Sequence, residues 1–285
     1  MREARIRRSM LMTPGNRPER LARAATYGAD ALVFDLEDSV PPGEKARARQ
    51  CVAQALREMP RGGPELCVRI NGLDTPCAAA DLAALPLDRV DSIMVPKVES
   101  ASALQKLAEA CASVELIATL ETPRGILNAL AIADATRRTT ALFFGSGDYT
   151  AALGAAVTDT TLHHPRSVVT AAAAAAGIQA IDAAYFQDVK NAEATRRDTQ
   201  LAREMGFAGK VVFHPTQVAV ANAAFAPTPA ELERARRLIA AYREGLAKGH
   251  GTSAIDGLVV AVDLVPPAER LIAMAEKLAA REALQ

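Results

Sequence analysis

Short apolar runs alternate with longer amphipathic segments along most of the chain. The apolar runs span 10–12, 31–36, 66–70, 92–95, 115–120, 141–144, 179–183 and 211–213. Each is the length of a strand, and most lack the polar alternation of a half-exposed one. They read as strands buried on both faces. The segments between them carry helix signals. "PERLARAATYG" opens on Pro and closes at Gly28, and "PPGEKARARQCVAQALREM" follows a Pro pair. "SASALQKLAEACAS" opens on a serine suited to an N-cap. "RSVVTAAAAAAG" and "NAEATRRDTQLAREMG" both stop at Gly, as helix C-termini often do. Eight strand–helix units in a row predict an α/β chain folded as a (β/α)8 TIM barrel over residues 1–226. A doubly wound open sheet has a similar local pattern and remains the structural alternative. Residues 227–285 hold a charged helix, "PAELERARRLIAAYREGLAKG", a strand, "GLVVAV", and a last helix from Pro266. They predict a C-terminal extension of helix and strand.

Composition narrows the function classes. The 285 residues are 50% hydrophobic but only 4% aromatic, so Ala, Leu, Val and Ile must fill the core. Lys plus Arg and Asp plus Glu number 33 each. That balance gives no basic field of the kind a nucleic-acid binder shows. Cys51, Cys67, Cys77 and Cys111 are scattered with no C-x-x-C spacing. They predict free thiols in a cytoplasmic protein rather than a disulfide framework or a structural zinc site. The basic start, "MREARIRRSMLMTPG", lacks the apolar stretch of a signal peptide. No apolar run is long enough to span a bilayer, so no membrane role is expected.

Candidate chemistry lies where the strands end. In order, the ends give "TPGNR"; Asp35, Glu37 and Asp38; Arg69 and Asn71; Lys97 and Glu99; Glu121; Asp148; Asp182; and His214. In a parallel barrel these ends form one face, where active sites sit. Any strand must leave through a polar loop, which explains some of this polarity. Charged residues after so many apolar strands favour a site. In "LVFDLED", Val33, Asp35 and Glu37 share one face while Leu32, Phe34 and Leu36 share the other. If the second face meets the helices, Asp35 and Glu37 point into the barrel mouth and Asp38 lies at the loop. Crowded acids need Arg69, Lys97 or a metal ion to stay ionised. The donors are carboxylate oxygens without a His or Cys cluster, which favours a hard cation such as Mg2+ over zinc. His214, before a proline, reads better as a structural histidine than a catalytic one. "TPGNRPERL" sets Gly15 and backbone amides ahead of a helix, either as a phosphate site or as an ordinary turn.

Several motifs in order resemble the citrate lyase β-subunit-like branch of the HpcH/HpaI aldolase superfamily, which includes malyl-CoA and citramalyl-CoA lyases. They are "RSMLMTPGNRPERLARA", "GADALVFDLEDSVPPGEKARAR", "VRINGLDT", "VPKVES", "ETPRGILNA", "FGSGDYTAALG", "GFAGKVVFHPTQVAVANAAFAPT" and "IDGLVV". Together they cover nearly the whole chain. The resemblance implies a (β/α)8 barrel, often trimeric, that cleaves a carbon–carbon bond in a 3-hydroxyacyl-CoA with Mg2+. The products would be acetyl-CoA or a related acyl-CoA and a 2-oxo acid. By motif, Glu121 and Asp148 would be the Mg2+ ligands, and Arg69 and Glu121 would meet the substrate. Asp35, Glu37 and Asp38 would surround the metal through its waters. Gly15, Asn16 and Arg17 would contact the thioester carrier.

Two departures stand out. Many relatives read "DG-x-x-x-D" near the C-terminus, the last Asp reaching a neighbouring subunit's site as acid/base. Here Ala261 holds that place, and Asp263, two residues on, is the candidate substitute. "GSGD" replaces "GAED" or similar, so Gly147 changes the pocket beside Asp148. The alternatives are a malyl-CoA-type thioesterase, or the β subunit of a citrate lyase complex acting on a citryl thioester of an acyl carrier protein.

Overall fold

In the computed structural model, which describes residues 5–111 and 113–283, each of these apolar runs coincides with a strand, none ending more than one residue beyond it. They are β1 (Ser9–Pro14), β2 (Ala31–Asp35), β3 (Glu65–Arg69), β4 (Ser92–Val95), β5 (Glu115–Leu120), β6 (Thr139–Phe144), β7 (Gln179–Asp182) and β8 (Gly209–Val212). Among the described residues these eight strands close into a barrel in sequence order, each pair parallel. Ser9, Met10 and Leu11 pair with Lys210, Val211 and Val212. That last ladder excludes the open sheet. The chain divides into two compact units, Met1–Phe225 and Ala226–Gln285.

The pleat sorts each strand into two layers. Met10, Val33, Cys67, Met94, Ile117 and Phe143 fill the barrel interior. Leu32, Phe34 and Leu36 join the layer beneath the helices. Asp35 is therefore an inward position, as the alternation in "LVFDLED" predicts. Helix ends follow the sequence signals. Asn191 caps Ala192–Glu204 by accepting from the Ala194 N–H, and Gly177, at φ 68°, closes Asp159–Ala176. The N-terminal pole is plugged by charge. Buried Arg7 donates to Glu65 at 2.7 and 2.8 Å and to Glu115 at 2.8 Å. Breaking such a buried pair from one side costs about 3–5 kcal/mol, so this pole serves stability.

One strand-end residue belongs elsewhere. Asp182 was expected among the polar groups of the mouth, but its neighbours Ile181 and Ala183 point inward. Alternation turns Asp182 outward under the helices. There it accepts from Arg166 at 3.1 and 2.9 Å and from Lys210 at 2.5 Å. Asp198 completes this buried cluster, 2.9 Å from Arg166 and 2.8 Å from Lys210. Lys210 is fully buried, which is tolerated because both carboxylates meet its ammonium.

In the second unit, Thr228 and Glu231 form a capping box on the helix Pro229–Ala247. A hairpin follows, β9 (Ser253–Ile255) with β10 (Leu258–Val260). Asp256 and Gly257, both at positive φ (51° and 81°), make its two-residue turn. The predicted strand "GLVVAV" is thus one arm of a hairpin and stops at Val260. Ala261 and Asp263 lie beyond it, Asp263 in a short helical turn, Val262–Leu264. The strand rule that would place Asp263 on the face of residue 261 does not reach it. The final helix is Val265–Glu282. All four cysteines are free, and burial pushes the Cys67 thiol up to about 12. No helix among the described residues is long and apolar enough to cross a membrane.

Candidate active site

The C-terminal ends of β2 to β6 carry a connected set of charged side chains. Asp35, fully buried, accepts from Arg69 Nε at 2.7 Å and from Arg69 Nη2 at 2.8 Å. It also accepts from the Glu37 N–H at 2.9 Å, the Ser39 N–H at 3.1 Å and the Ser39 hydroxyl. Burial alone would raise the Asp35 pKa, but the Arg69 fork outweighs it and holds the carboxyl below its usual range. This side chain has no remaining capacity for an ion. Its work is to lock Arg69 in place, and burial fails to lower the guanidinium pKa because Asp35 raises it.

Glu37 sits next in the set. Its Oε2 lies 3.0 Å from Arg69 Nη1 without a directed hydrogen bond, and its Oε1 accepts from the Lys97 ammonium. Lys97 Nζ also reaches Asp38 Oδ2, at 3.2 Å, on the exposed loop. Burial raises the Glu37 pKa, with help from the charge of Asp38, against the pull of Arg69 and Lys97.

Glu121 follows β5, nearly buried, and its Oε1 accepts the Lys97 N–H at 2.8 Å. Gly145 follows β6 directly beneath it. A Cβ at Gly145 would stand 2.5 Å from Glu121 Cβ and 2.6 Å from Glu121 Oε2, so only glycine allows this approach. The helix Ser146–Leu153 starts there and carries exposed Asp148 in its first turn, where an acid suits the helix dipole. Burial first, then the charges of Glu37 and Asp148, push Glu121 up to about 8. Arg69 and the Lys97 N–H offset this only in part.

The set places five carboxyls (Asp35, Glu37, Asp38, Glu121 and Asp148) against two side-chain cations, Arg69 and Lys97. Hard oxygen donors with excess negative charge fit a divalent cation held by oxygen. Among the described residues no three His, Cys, Asp or Glu side chains converge on one point. A cation here would therefore take fewer than three such side chains from the protein and complete its shell with water or substrate.

The other predicted positions divide. Gly15 packs on the end of β2, its N–H donating to the Asp35 carbonyl at 2.8 Å, and a Cβ there would meet that oxygen at 2.7 Å. Asn16 is buried, donates to Glu44 at 2.5 Å and leaves Oδ1 without a partner, while Arg17 is exposed. Asn71 is tied to Asp81 and to the Leu36 carbonyl, and Glu99 pairs loosely with Arg124 at 3.7 Å. His214 Nδ1 lies 2.8 Å from the Thr216 hydroxyl in a local turn. Phe213 and Phe186 are 45% and 38% exposed at the ends of β8 and β7. Gly147 leaves a gap before Phe186: a Cβ there would touch only Phe186 Cζ, at 3.9 Å. Gly145 is the site member that motif reading passed over; Lys97, expected as a cation for the crowded acids, also contributes its backbone N–H. The run "VPK" shows a charged strand end but gives no sign that Lys97 adopts φ 52°.

Comparison with known proteins identifies the family. The HpcH/HpaI aldolase/citrate lyase family model matches residues 8–215. The citrate lyase subunit beta of Leuconostoc mesenteroides subsp. cremoris is 36% identical over 96% of this chain and 95% of its own. A (3S)-malyl-CoA thioesterase of Cereibacter sphaeroides is 37% identical over 96% of each chain. The mitochondrial citramalyl-CoA lyase of Homo sapiens is 32% identical over 94% of this chain and 85% of its own. The solved structure of CitE from Mycobacterium tuberculosis, in complex with magnesium, acetoacetate and coenzyme A, superposes with a TM-score of 0.80. It is 33% identical and covers 97% of this chain and 100% of that one. The chain belongs to the HpcH/HpaI aldolase/citrate lyase family.

Proposed function

We propose that this protein is a Mg2+-dependent carbon–carbon lyase that cleaves a 3-hydroxyacyl-CoA of the malyl or citramalyl type. The products are acetyl-CoA or a related acyl-CoA and a 2-oxo acid. The observation that carries this reading is Glu121, nearly buried among other acids and beside a guanidinium fixed by Asp35. The magnesium complex of the CitE relative supports the same metal here. A homotrimer, implied by the resemblance, and a cytoplasmic location, expected from the scattered cysteines, belong to this reading.

In this reading Glu121 and Asp148 hold the cation. Bound Mg2+ supplies Lewis acidity toward the substrate's hydroxyl and carboxylate oxygens and orients them. Arg69 is held along one edge by Asp35, which leaves Nη1 to donate to the thioester oxygen. When the carbon–carbon bond breaks, its electron pair enters the thioester as an enolate, and the Arg69 N–H groups stabilise the developing charge. Such fixed donors cost no reorganisation at the moment of reaction. The hydroxyl proton passes to a water as the 2-oxo acid forms, and a proton returns to the enolate carbon. By the resemblance that proton would come from a neighbouring subunit's C-terminal extension, where Ala261 leaves Asp263 as the nearby acid. Asn16 and the Gly15–Arg17 loop meet the thioester carrier.

Hydrolysis is the second reading, favoured by Ala261 in the acid/base position and by the thioesterase relative. Purified protein with Mg2+ is offered malyl-CoA, citramalyl-CoA and longer homologues, and both products are identified by mass spectrometry. Acyl-CoA plus 2-oxo acid is the expected result. Free CoA plus intact hydroxy acid establishes hydrolysis instead. Thioesters left intact on CoA but cleaved on an acyl carrier protein place the chain with citrate lyase β subunits.

Metal binding carries a pH signature. With Glu121 at about 8, a proton occupies its carboxylate below that pH and competes with the cation. Affinity therefore falls about tenfold per unit as pH drops below 8 and levels off above it. Titration calorimetry with Mn2+ at pH 6.5, 7.5 and 8.5 measures this. Equal affinity at all three contradicts the protonated Glu121.

A further inference from the structure

We propose that Lys97 is the positioning residue that decides which oxygen of Glu121 is offered to the cation. The inference rests on the metal-dependent reading above and assigns a role to a residue outside the ligand set.

Lys97 follows β4 and has φ 52°, a left-handed conformation that residues with side chains seldom adopt. The backbone on either side is ordinary ladder. Val95 pairs with Ala118, and the Val98 N–H donates to the Thr119 carbonyl at 3.1 Å. Within this ladder the left-handed turn at Lys97 rotates one N–H toward Glu121 Oε1, 2.8 Å away. Among the described residues no hydrogen bond engages Oε2, which lies over Gly145. One oxygen is thus occupied by a main-chain donor, and the other stays open. A carboxylate held this way gives the ion a single oxygen and leaves its remaining positions to water and a chelating substrate.

The side chain of the same residue secures the opposite wall. Its ammonium reaches Glu37 Oε1 and Asp38 Oδ2, and Glu37 Oε2 lies 3.0 Å from Arg69 Nη1. Lys97 therefore ties the Glu121 carboxylate, through its backbone, to the acid beside the substrate-binding guanidinium, through its Nζ. Two separable effects follow. The N–H governs the cation, and the ammonium governs Arg69 and hence substrate.

The test separates them in the full-length protein. Incorporating the α-hydroxy analogue of lysine at 97 replaces the N–H by an ester oxygen and keeps the side chain. Mn2+ affinity, read by electron paramagnetic resonance without substrate, should fall about tenfold. The infrared splitting of the metal-bound carboxylate should narrow from the one-oxygen toward the two-oxygen pattern. Lys97→Gly keeps the N–H and the left-handed backbone but removes the ammonium. It should bind Mn2+ within about threefold of the native protein and raise KM for the thioester, and Lys97→Arg should restore KM. An ester variant with native Mn2+ affinity and native splitting overturns the proposal. Native protein that binds no Mn2+ overturns the metal-dependent reading, and the proposal with it.

Discussion

Glu121→Gln is expected to abolish divalent-cation binding and to lower kcat by about a thousandfold or more, equivalent to about 4 kcal/mol at 1.36 kcal/mol per decade. The substitution keeps the shape of the side chain and an oxygen to accept the Lys97 N–H, so the wall of the site stays in place. What it removes is charge. A neutral amide is a poor ligand for Mg2+, and exposed Asp148 alone cannot compensate. Stability should move the other way. Glu121 sits beside Glu37 and Asp148, and that crowding with burial is what raises its pKa to about 8. Its folded pKa is raised, so the ionised carboxylate costs stability as pH climbs from its ordinary value through 8. Removing the charge relieves that cost. Melting curves at pH 8.5 should therefore place the metal-free variant at or above the metal-free native protein. Added Mg2+ should raise the melting point of the native protein only, since a ligand stabilises the state it binds. A variant that keeps native turnover with Mg2+ refutes Glu121 as a metal ligand.

The contrast between Asp35 and Asp182 explains how far the sequence was legible. Both close an apolar run, and both were read as strand-end acids. For Asp35 the alternation of Val33 with Leu32 and Phe34 was unambiguous, because two large side chains marked the helix face. In "QAIDAA" the small Ala180, Ala183 and Ala184 mark no face, so the pattern puts Asp182 in the mouth, whereas it points outward to Lys210. The barrel was readable because eight short runs repeat one local pattern, and the closing ladder needed no further signal. Lys97 was readable as a charged strand end, but its backbone contact with Glu121, like the close approach of Gly145, was not. One acts through a backbone dihedral and the other through the absence of a Cβ beside Glu121, and both become visible only when β4, β5 and β6 lie side by side. Local pattern also missed β9, whose three residues become a strand only by pairing with β10.

Arg69 should produce the largest combined effect on activity and stability. Arg69→Lys keeps a positive charge but loses the fork that holds Asp35 at 2.7 and 2.8 Å. An ammonium cannot bind that carboxylate in the same two-point way and still present a donor to the substrate oxygen. The expected loss in kcat is about 100- to 1000-fold, the range for removing one oxyanion donor. Arg69→Met goes further and leaves Asp35 buried with no cation. Removing one partner of a buried pair costs about 3–5 kcal/mol. The pH dependence identifies the cause. In the native protein the Asp35 pKa is lowered, so its contribution to stability is full above the ordinary carboxylate pKa and is lost as pH falls through the folded one. In Arg69→Met the strongest opposing partner is gone, and burial raises the Asp35 pKa against only the Ser39 and Glu37 hydrogen bonds. The folded variant then binds more protons than the unfolded chain, and its stability declines as pH rises above about 4. Urea unfolding at pH 5 and pH 7 resolves the two cases: the stability gap between native and variant should be wider at pH 7. A gap equal at both pH values would mean that lost packing, and not the uncompensated charge of Asp35, accounts for the damage.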